Sequence, residues 1–276
     1  MVILKKIDEV RAQVKEWKKQ GLTVGLVPTM GYLHEGHQSL IKKSVEQNDR
    51  TVVSVFVNPI QFGPNEDLES YPRDLEADAK LCESTGADII FNPEPEEMYA
   101  DGFVSFINMT GLPNALCGLT RPIHFKGVCT VVGKLFNIVT PDRAYFGQKD
   151  AQQLAIIMRM VKDLNFDIEI VGCPIIREAD GLAKSSRNIY LTPEERKAAV
   201  VLSKAVKLGQ DMIADGERDA AKIVGEMKKL ISAIDYVEMV NMDTMQSIEK
   251  AEGHVLCAMA VKFGKARLID NFIAEL

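Results

Sequence analysis

Through residue 176 the chain alternates short apolar, β-branched runs with segments of helical periodicity, and this alternation constrains the fold more than any other feature. Leu22–Pro28, Thr51–Asn58, Ala87–Asn92, Arg143–Gly147 and Asp167–Ile176 read as strands. They are apolar along most of their length rather than at every second position, as strands buried on both faces of a parallel sheet are. Helix candidates lie between them at Glu35–Gln47, Pro72–Thr85, Gly127–Ile138 and Asp150–Asn165. In the last, Leu154, Ile157, Met158 and Val161 recur at helical spacing. A βαβα order predicts an open doubly wound sheet, which binds ligands beyond the carboxyl ends of its strands.

After the polar turn Arg177–Asn188 the alternation stops. Thr192-Pro193-Glu194-Glu195 has the form of a helix start, with a capping threonine, proline at the first helical position and glutamate at the third. One helix is expected from there to Ala214 and a second from Asp219 to Ile231, followed by strand segments at Tyr236–Met242 and His254–Phe272. The expected fold class is therefore α/β: a Rossmann-like doubly wound parallel sheet over residues 1–176, with a smaller C-terminal α+β lid domain over 177–276.

The balance of 46% hydrophobic and 26% charged residues in 276 is that of an ordinary globular protein with a real core. A net charge of −6 and a pI near 5.4 argue against a nucleic-acid partner, and a site for an anion must be locally basic against that field. The five cysteines are scattered and never form C-x-x-C, so neither a zinc site nor a redox pair is expected, and a reducing compartment is the simpler reading. The N-terminal Met-Val-Ile-Leu-Lys-Lys leads into a charged amphipathic helix and lacks a signal-peptide apolar region; no run reaches the length of a membrane span. A cytoplasmic protein with no membrane partner is expected.

Five clusters carry candidate chemistry. Pro28 to His37 joins a strand to a helix through a glycine-bearing turn and places two of the chain's four histidines, His34 and His37, three residues apart at the helix start. Backbone N–H groups and the helix dipole favour an anion there, and residues at i and i+3 share a face. Imidazole N–H groups suit phosphate oxygens; a pair of surface or capping histidines is the plainer alternative. Zinc is disfavoured, because the common helical pair is H-E-x-x-H. No G-x-G-x-x-G follows the first strand and no G-x-x-x-x-G-K-[ST] occurs, so a nucleotide must be held by another device.

Phe146 to Gln153 is the second cluster. Lys149 at a helix start opposes the helix dipole, which points to a ligand anion; Gly147 permits close backbone approach; Asp150 is a helix cap or orients a ribose or a metal-bound water; Gln153 shares the Lys149 face. Third, Arg177 to Asn188 sets small hydroxyls between cations in a flexible, glycine-bearing loop that suits a triphosphate tail; it also reads as a solvated linker. Fourth, Asn58 to Pro64 puts Gln61 at a strand's carboxyl end, where its donor and acceptor suit a hydroxyl- and carboxylate-bearing small molecule; read alone, it is a proline-rich turn. Fifth, Arg121 to Gly127 precedes a helix, and His124 there reads as a ligand contact or, the favoured reading, a satisfied loop histidine.

Taken together these motifs resemble the pantoate–β-alanine ligases, members of the nucleotidyltransferase superfamily with an H-x-G-H signature. P-T-M-G-x-L-H-x-G-H, N-P-x-Q-F, Y-P-R, T-V-V-x-K-L-F-N-I-V-x-P-D, F-G-x-K-D-x-Q-Q and R-E-x-D-G-L-A-x-S-S-R-N occur in family order over nearly the whole chain. The resemblance implies ATP-dependent condensation of pantoate with β-alanine through a pantoyl adenylate, releasing pyrophosphate and then AMP. It implies that His34, His37 and Lys149 are catalytic and contact ATP, with Met30 beside the reacting centre. Gly147, Asp150, Ile176, Lys184, Ser185, Ser186 and Arg187 complete the implied ATP side. Gln61 and Gln153 would hold pantoate, Arg121 would lie on the β-alanine side, and Asp78 would help anchor Mg; a homodimer is also implied. Two positions depart from the family pattern: Ile123 stands where glycine is usual, and Lys184 where methionine is frequent.

A displacement at phosphorus depends on positioning and charge neutralisation, which several donors and cations without a protein nucleophile supply. The runner-up is a nucleotidyltransferase that moves AMP or CMP onto a phosphorylated acceptor; it needs a second phosphate site, whereas Gln61 and Gln153 are neutral. A class I aminoacyl-tRNA synthetase fragment is disfavoured by length and acidity. A silent nucleotide-binding module has no need of Lys149 together with Ser185–Arg187.

Overall fold

A computed structural model describes residues 1–64 and 66–276. The chain divides into two compact units. The first is Met1–Met109, Arg121–Gln148 and Ile156–Pro174; the second is Thr110–Thr120, Lys149–Ala155 and Ile175–Leu276. Two short segments that precede the 176/177 cut drawn on the sequence thus belong to the second unit.

In the first unit the strands are β1 (Val2–Leu4), β2 (Val24–Thr29), β3 (Arg50–Val55), β4 (Ile89–Phe91), β5 (Arg143–Gly147) and β6 (Glu169–Cys173). They form one sheet in the order β1-β4-β3-β2-β5-β6, and every pairing is parallel. The winding runs one way from β2 through β3 to β4 and the other way from β5 to β6. The topological switch therefore falls between β2 and β5, where such sheets open a crevice at their carboxyl ends. The interior strands are covered on both faces, as their apolar runs require: Val24, Leu26, Val27, Val52, Val53, Ile89, Ile90 and Phe91 are fully buried. Helices α1 (Ile7–Lys19), α2 (Glu35–Gln47), α3 (Leu75–Thr85), α4 (Pro95–Met98) and, beyond α5 (Cys117–Thr120) of the second unit, α6 (His124–Val139) complete the βαβ crossovers. Helix α7 (Ala151–Asp163) follows β5.

The second unit carries α8 (Pro193–Ala199), α9 (Val201–Ala214), α10 (Ala220–Leu230) and the antiparallel sheet β7 (Ile234–Asn241), β8 (His254–Phe263), β9 (Ala266–Glu275). Its core joins Leu202, Val206 and Ile223 of the helices to Val237, Met259 and Phe272 of the sheet.

Several expected boundaries move. Helix α7 starts at Ala151 rather than Asp150, because Gln148–Asp150 makes a 3-10 turn first. The long helix from Pro193 divides at Val200 into α8 and α9. His254–Phe272 is a hairpin that turns at Gly264-Lys265. Strand β3 stops at Val55, ahead of the N-P-x-Q-F turn. The short β1 pairs on the sheet edge beside β4, too brief to announce itself by pattern.

Candidate active site

Strand β2 ends at the switch point and hands the chain to α2 through Met30–Leu33. Gly31 adopts φ +83°, and a Cβ there would come within 3.0 Å of both Asp78 Oδ2 and Val55 Cγ1. Only glycine fits. The tight turn aims successive backbone N–H groups at Asp78 of α3, whose carboxylate accepts from Tyr32 at 2.9 Å and Leu33 at 2.6 Å. Asp78 is 2% exposed, and burial pushes its carboxyl up against the pull of these two N–H groups.

His34 is the N-cap of α2. Its Nδ1 accepts the Gly36 N–H at 3.1 Å, while its own backbone N–H donates to His37 Nδ1 at 3.3 Å. The ring centroids lie 4.1 Å apart. A nitrogen that accepts an N–H carries no proton, so each neutral imidazole holds its proton on Nε2. Capping thereby turns both rings into Nε2–H donors at a helix N-terminus. The capping reading of this pair is the one the geometry shows.

Beside this turn lies a buried amide network. Gln61 Nε2 donates to Met30 Sδ at 3.0 Å, and Gln61 Oε1 accepts from Asn58 Nδ2 at 3.0 Å. Asn58 Nδ2 also donates to Gly127 O at 3.1 Å, and Asn58 Oδ1 accepts the Tyr99 hydroxyl at 2.6 Å. Because Gly127 O can only accept, it fixes which end of each amide faces which way. A Cβ on Gly127 would lie 2.5 Å from Gln61 Cα, so glycine lets α6 press against this turn. His124 Nδ1 donates to Gln61 O at 3.2 Å, so the ring is satisfied, but as the first residue of α6 and not in a loop as expected.

Arg121 meets Glu66 in a two-point pair, Nε to Oε1 at 3.0 Å and Nη2 to Oε2 at 2.6 Å. Burial raises the Glu66 carboxyl, but the hydrogen bonds and charge of Arg121 outweigh it and hold Glu66 below its ordinary range. Ile123 is 43% exposed and precedes α6 without a side-chain cap.

In the second unit, Lys149 Nζ lies 3.6 Å from Asp150 Oδ2, too long for a hydrogen bond, with the lysine side chain 20% exposed. Gln152 is structural: it accepts from Cys117 N–H and donates to Leu112 O and Ala115 O. Gln153 is half-buried and makes no side-chain hydrogen bond among the described residues. The Arg177–Asn188 segment is a hairpin rather than an irregular loop. Lys184 N–H donates to Ile176 O, Glu178 N–H to Leu182 O, and Arg177 bridges Ala183. Lys184 faces Glu178 Oε2 at 3.0 Å, so it is ion-paired instead of open to solvent. Ser185 Oγ accepts the Arg187 N–H at 3.3 Å and caps a 3-10 turn, Ser186–Tyr190, in which Ser186 is buried. Asn188 Nδ2 holds Ala183 O, and its buried Oδ1 accepts from nothing among the described residues.

The pantoate-beta-alanine ligase family model matches residues 2–273. The chain belongs to the pantoate–β-alanine ligase family. The pantothenate synthetase of Enterococcus faecalis is 62% identical, with all of both chains covered. The pantothenate synthetase structure from Thermus thermophilus superposes with a TM-score of 0.94 at 43% identity, covering 99% of each chain. The Francisella tularensis pantoate-beta-alanine ligase, complexed with beta-gamma ATP and beta-alanine, gives 0.81 at 34% identity, covering 99% of this chain and 97% of that one.

Within this family frame, the first unit brings His34, His37, Met30 and Gln61 to the carboxyl end of β2 and its following turns, with Asp78 beneath them. Asn58, Tyr99 and Gly127 belong to the same constellation, and sequence reasoning gave them no role. A glycine inside an otherwise apolar helix was the available signal for Gly127. Both Asp78 oxygens accept backbone N–H groups, which makes Asp78 an anchor of the histidine turn; a Mg held chiefly by substrate phosphates would call on one or two carboxylates at most.

Proposed function

We propose that this chain joins pantoate to β-alanine in two steps, with ATP as the activating substrate. A pantoate carboxylate oxygen attacks the α-phosphorus, the bond to the β-phosphate oxygen breaks, and pyrophosphate leaves. The β-alanine amine, shed of its ammonium proton, then attacks the acyl carbon; the carbon–oxygen bond to AMP breaks and the amide remains. The observation that carries this reading is the pair of Nε2–H donors fixed at the α2 N-terminus, since neutral donors stabilise phosphate oxygens without competing for the attacking carboxylate.

The remaining roles follow residue by residue. Lys149 neutralises charge that develops on the polyphosphate, and Ser185, Ser186 and Arg187 bind it, with Ile176 and Lys184 framing their hairpin. Gln61 and Gln153 bind pantoate through amide groups, Met30 lines the reacting centre, and Asp150 serves the ribose. Gly147 supports a nucleotide at the β5 end: a Cβ there meets nothing within 4 Å, so packing alone does not call for glycine, whereas close approach by a ligand does. Arg121 spends Nε and Nη2 on Glu66, leaving Nη1 as the arm for a β-alanine carboxylate. Asp78 acts on the histidine turn by holding its backbone. No step is routed through Mg. Burial pushes Cys82, Cys129 and Cys257 up to about 12, which agrees with a mechanism that uses no protein thiolate.

We place the enzyme in the cytoplasm as a homodimer. All five cysteines are free, and no helix of the described residues is long and apolar enough to cross a membrane; sedimentation tests the dimer. The chemistry is tested with pantoate labelled by ¹⁸O in its carboxylate. Label recovered in AMP supports the adenylate; label in inorganic phosphate alongside ADP refutes it.

A further inference from the structure

Strand β9 carries two buried polar residues that no motif singles out, Asp270 at 1% and Asn271 at 4% exposure. Asp270 accepts from Arg177 Nη1 at 2.7 Å and Nη2 at 2.9 Å, and its Oδ1 also takes the Asn271 N–H at 2.8 Å. Arg177 Nη1 donates in addition to Gly181 O at 3.0 Å, and the hairpin rungs carry that anchorage on to Ser185. From the adjacent position, Asn271 Nδ2 donates to Lys149 O at 2.8 Å. Neighbouring residues of one strand thus hold the hairpin of Ser185–Arg187 and the backbone of Lys149.

Burying an ion pair and an amide adds little to stability that apolar side chains would not provide. What these groups supply is fixed geometry. Lys149 lies in the 3-10 turn that leads into α7, and the Asn271 hydrogen bond pins its carbonyl from strand β9, far away along the chain. We propose that Asn271, backed by the Asp270–Arg177 pair, is a positioning residue for the adenylation step, acting through Lys149. The inference rests on the role given to Lys149 above.

The test measures pantoate-dependent ATP–pyrophosphate exchange in wild type, Asn271→Ala, Lys149→Ala and the double variant, with the KM for ATP and pantoate and the melting temperature of each. Asn271→Ala is expected to lower exchange turnover about tenfold, since misplacing a catalytic group by a fraction of its reach costs on that scale, with the pantoate KM unchanged. In the Lys149→Ala background the same substitution is expected to change the rate by less than about twofold, because its effect runs through the lysine that is gone. An equal loss in both backgrounds overturns the inference in favour of a general structural role. Full exchange by Asn271→Ala, with Lys149→Ala slow, overturns the inference and leaves the Lys149 reading standing. Undiminished exchange by Lys149→Ala overturns both. Should Asn271→Ala fail to fold, Asn271→Asp carries the same test: it keeps the shape but sets an acceptor against Lys149 O, and its exchange is expected to be at least as slow.

Discussion

The histidine turn of the first unit and the cationic hairpin of the second are both assigned to phosphate, yet they are built on opposite principles. The turn carries no fixed cation. Its two imidazoles are oriented by backbone N–H groups, and its loop is held by a buried carboxylate, Asp78. The hairpin is rich in charge, but four of its charges are already matched: Arg177 by Asp270, Lys184 and Glu178 by each other, and Asp180 by Arg196. One region fixes neutral donors through main-chain geometry; the other fixes its frame through ion pairs. On the proposed reading, a chain with net charge −6 needs no broad basic field to bind a polyanion, only directed donors and few cations.

Substitutions can break this comparison at graded cost. The largest effect is expected at Lys149, the cation of the second cluster: Lys149→Ala should slow single-turnover adenylation by roughly 10²-fold or more, the scale for losing one key electrostatic donor. Near-normal adenylation would remove the lysine from the mechanism. At His34 two roles can be separated. His34→Ala removes cap and donor together, at about 1 kcal/mol for the cap; His34→Asn restores a good cap but not an Nε2–H. The account predicts that Asn recovers the urea midpoint while adenylation stays low, and that both variants slow adenylation more than amine attack on preformed adenylate. Recovery of adenylation by Asn would make capping the whole function of His34.

Smaller effects are expected in the pH dependence of stability. Glu66 is held below its ordinary value of 4.5 in the fold, so its pair with Arg121 stabilises fully above that pH and is lost as pH falls through the lowered value. The destabilisation caused by Glu66→Gln should therefore shrink below pH 4.5. Asp78 is raised above 3.8, so its contribution is complete below that pH and is lost as pH rises through the raised value. Asp78→Asn should accordingly gain relative to wild type as pH rises across that window. Urea midpoints from pH 3 to 7 read both slopes, and slopes of equal sign would contradict the assignment. The smallest effect belongs to Lys184→Met: with the lysine spent on Glu178, stability should change by no more than about 1 kcal/mol. A large loss in ATP affinity would show that Lys184 grips phosphate directly.

The sheet was legible because buried parallel strands leave continuous apolar runs, and α2 was bounded correctly at Glu35–Gln47. The breaks were not. Val200 interrupts α8 and α9 with no proline or glycine to mark it, and Gln148–Asp150 tightens into a 3-10 turn on a sequence that reads as an ordinary helix start. At the site, the motifs named His34, His37 and Gln61 but gave no sign of how they are held. The imidazole tautomers follow from Gly36 and His34 N–H groups, and the Gln61 amide direction follows from Gly127 O sixty-six residues away along the chain. Such partners are set by tertiary contact and leave no local periodicity. The hairpin at Arg177–Asn188 read as an open loop because the group that fixes it, Asp270, comes from a distant strand.

The central claim is that an acyl adenylate forms before any amine is present. Isotope exchange between pyrophosphate and ATP, with pantoate present and β-alanine absent, tests it most directly. The account predicts exchange that depends on pantoate. Absence of exchange from folded protein, together with no pantoyl adenylate detected on the enzyme, would contradict it.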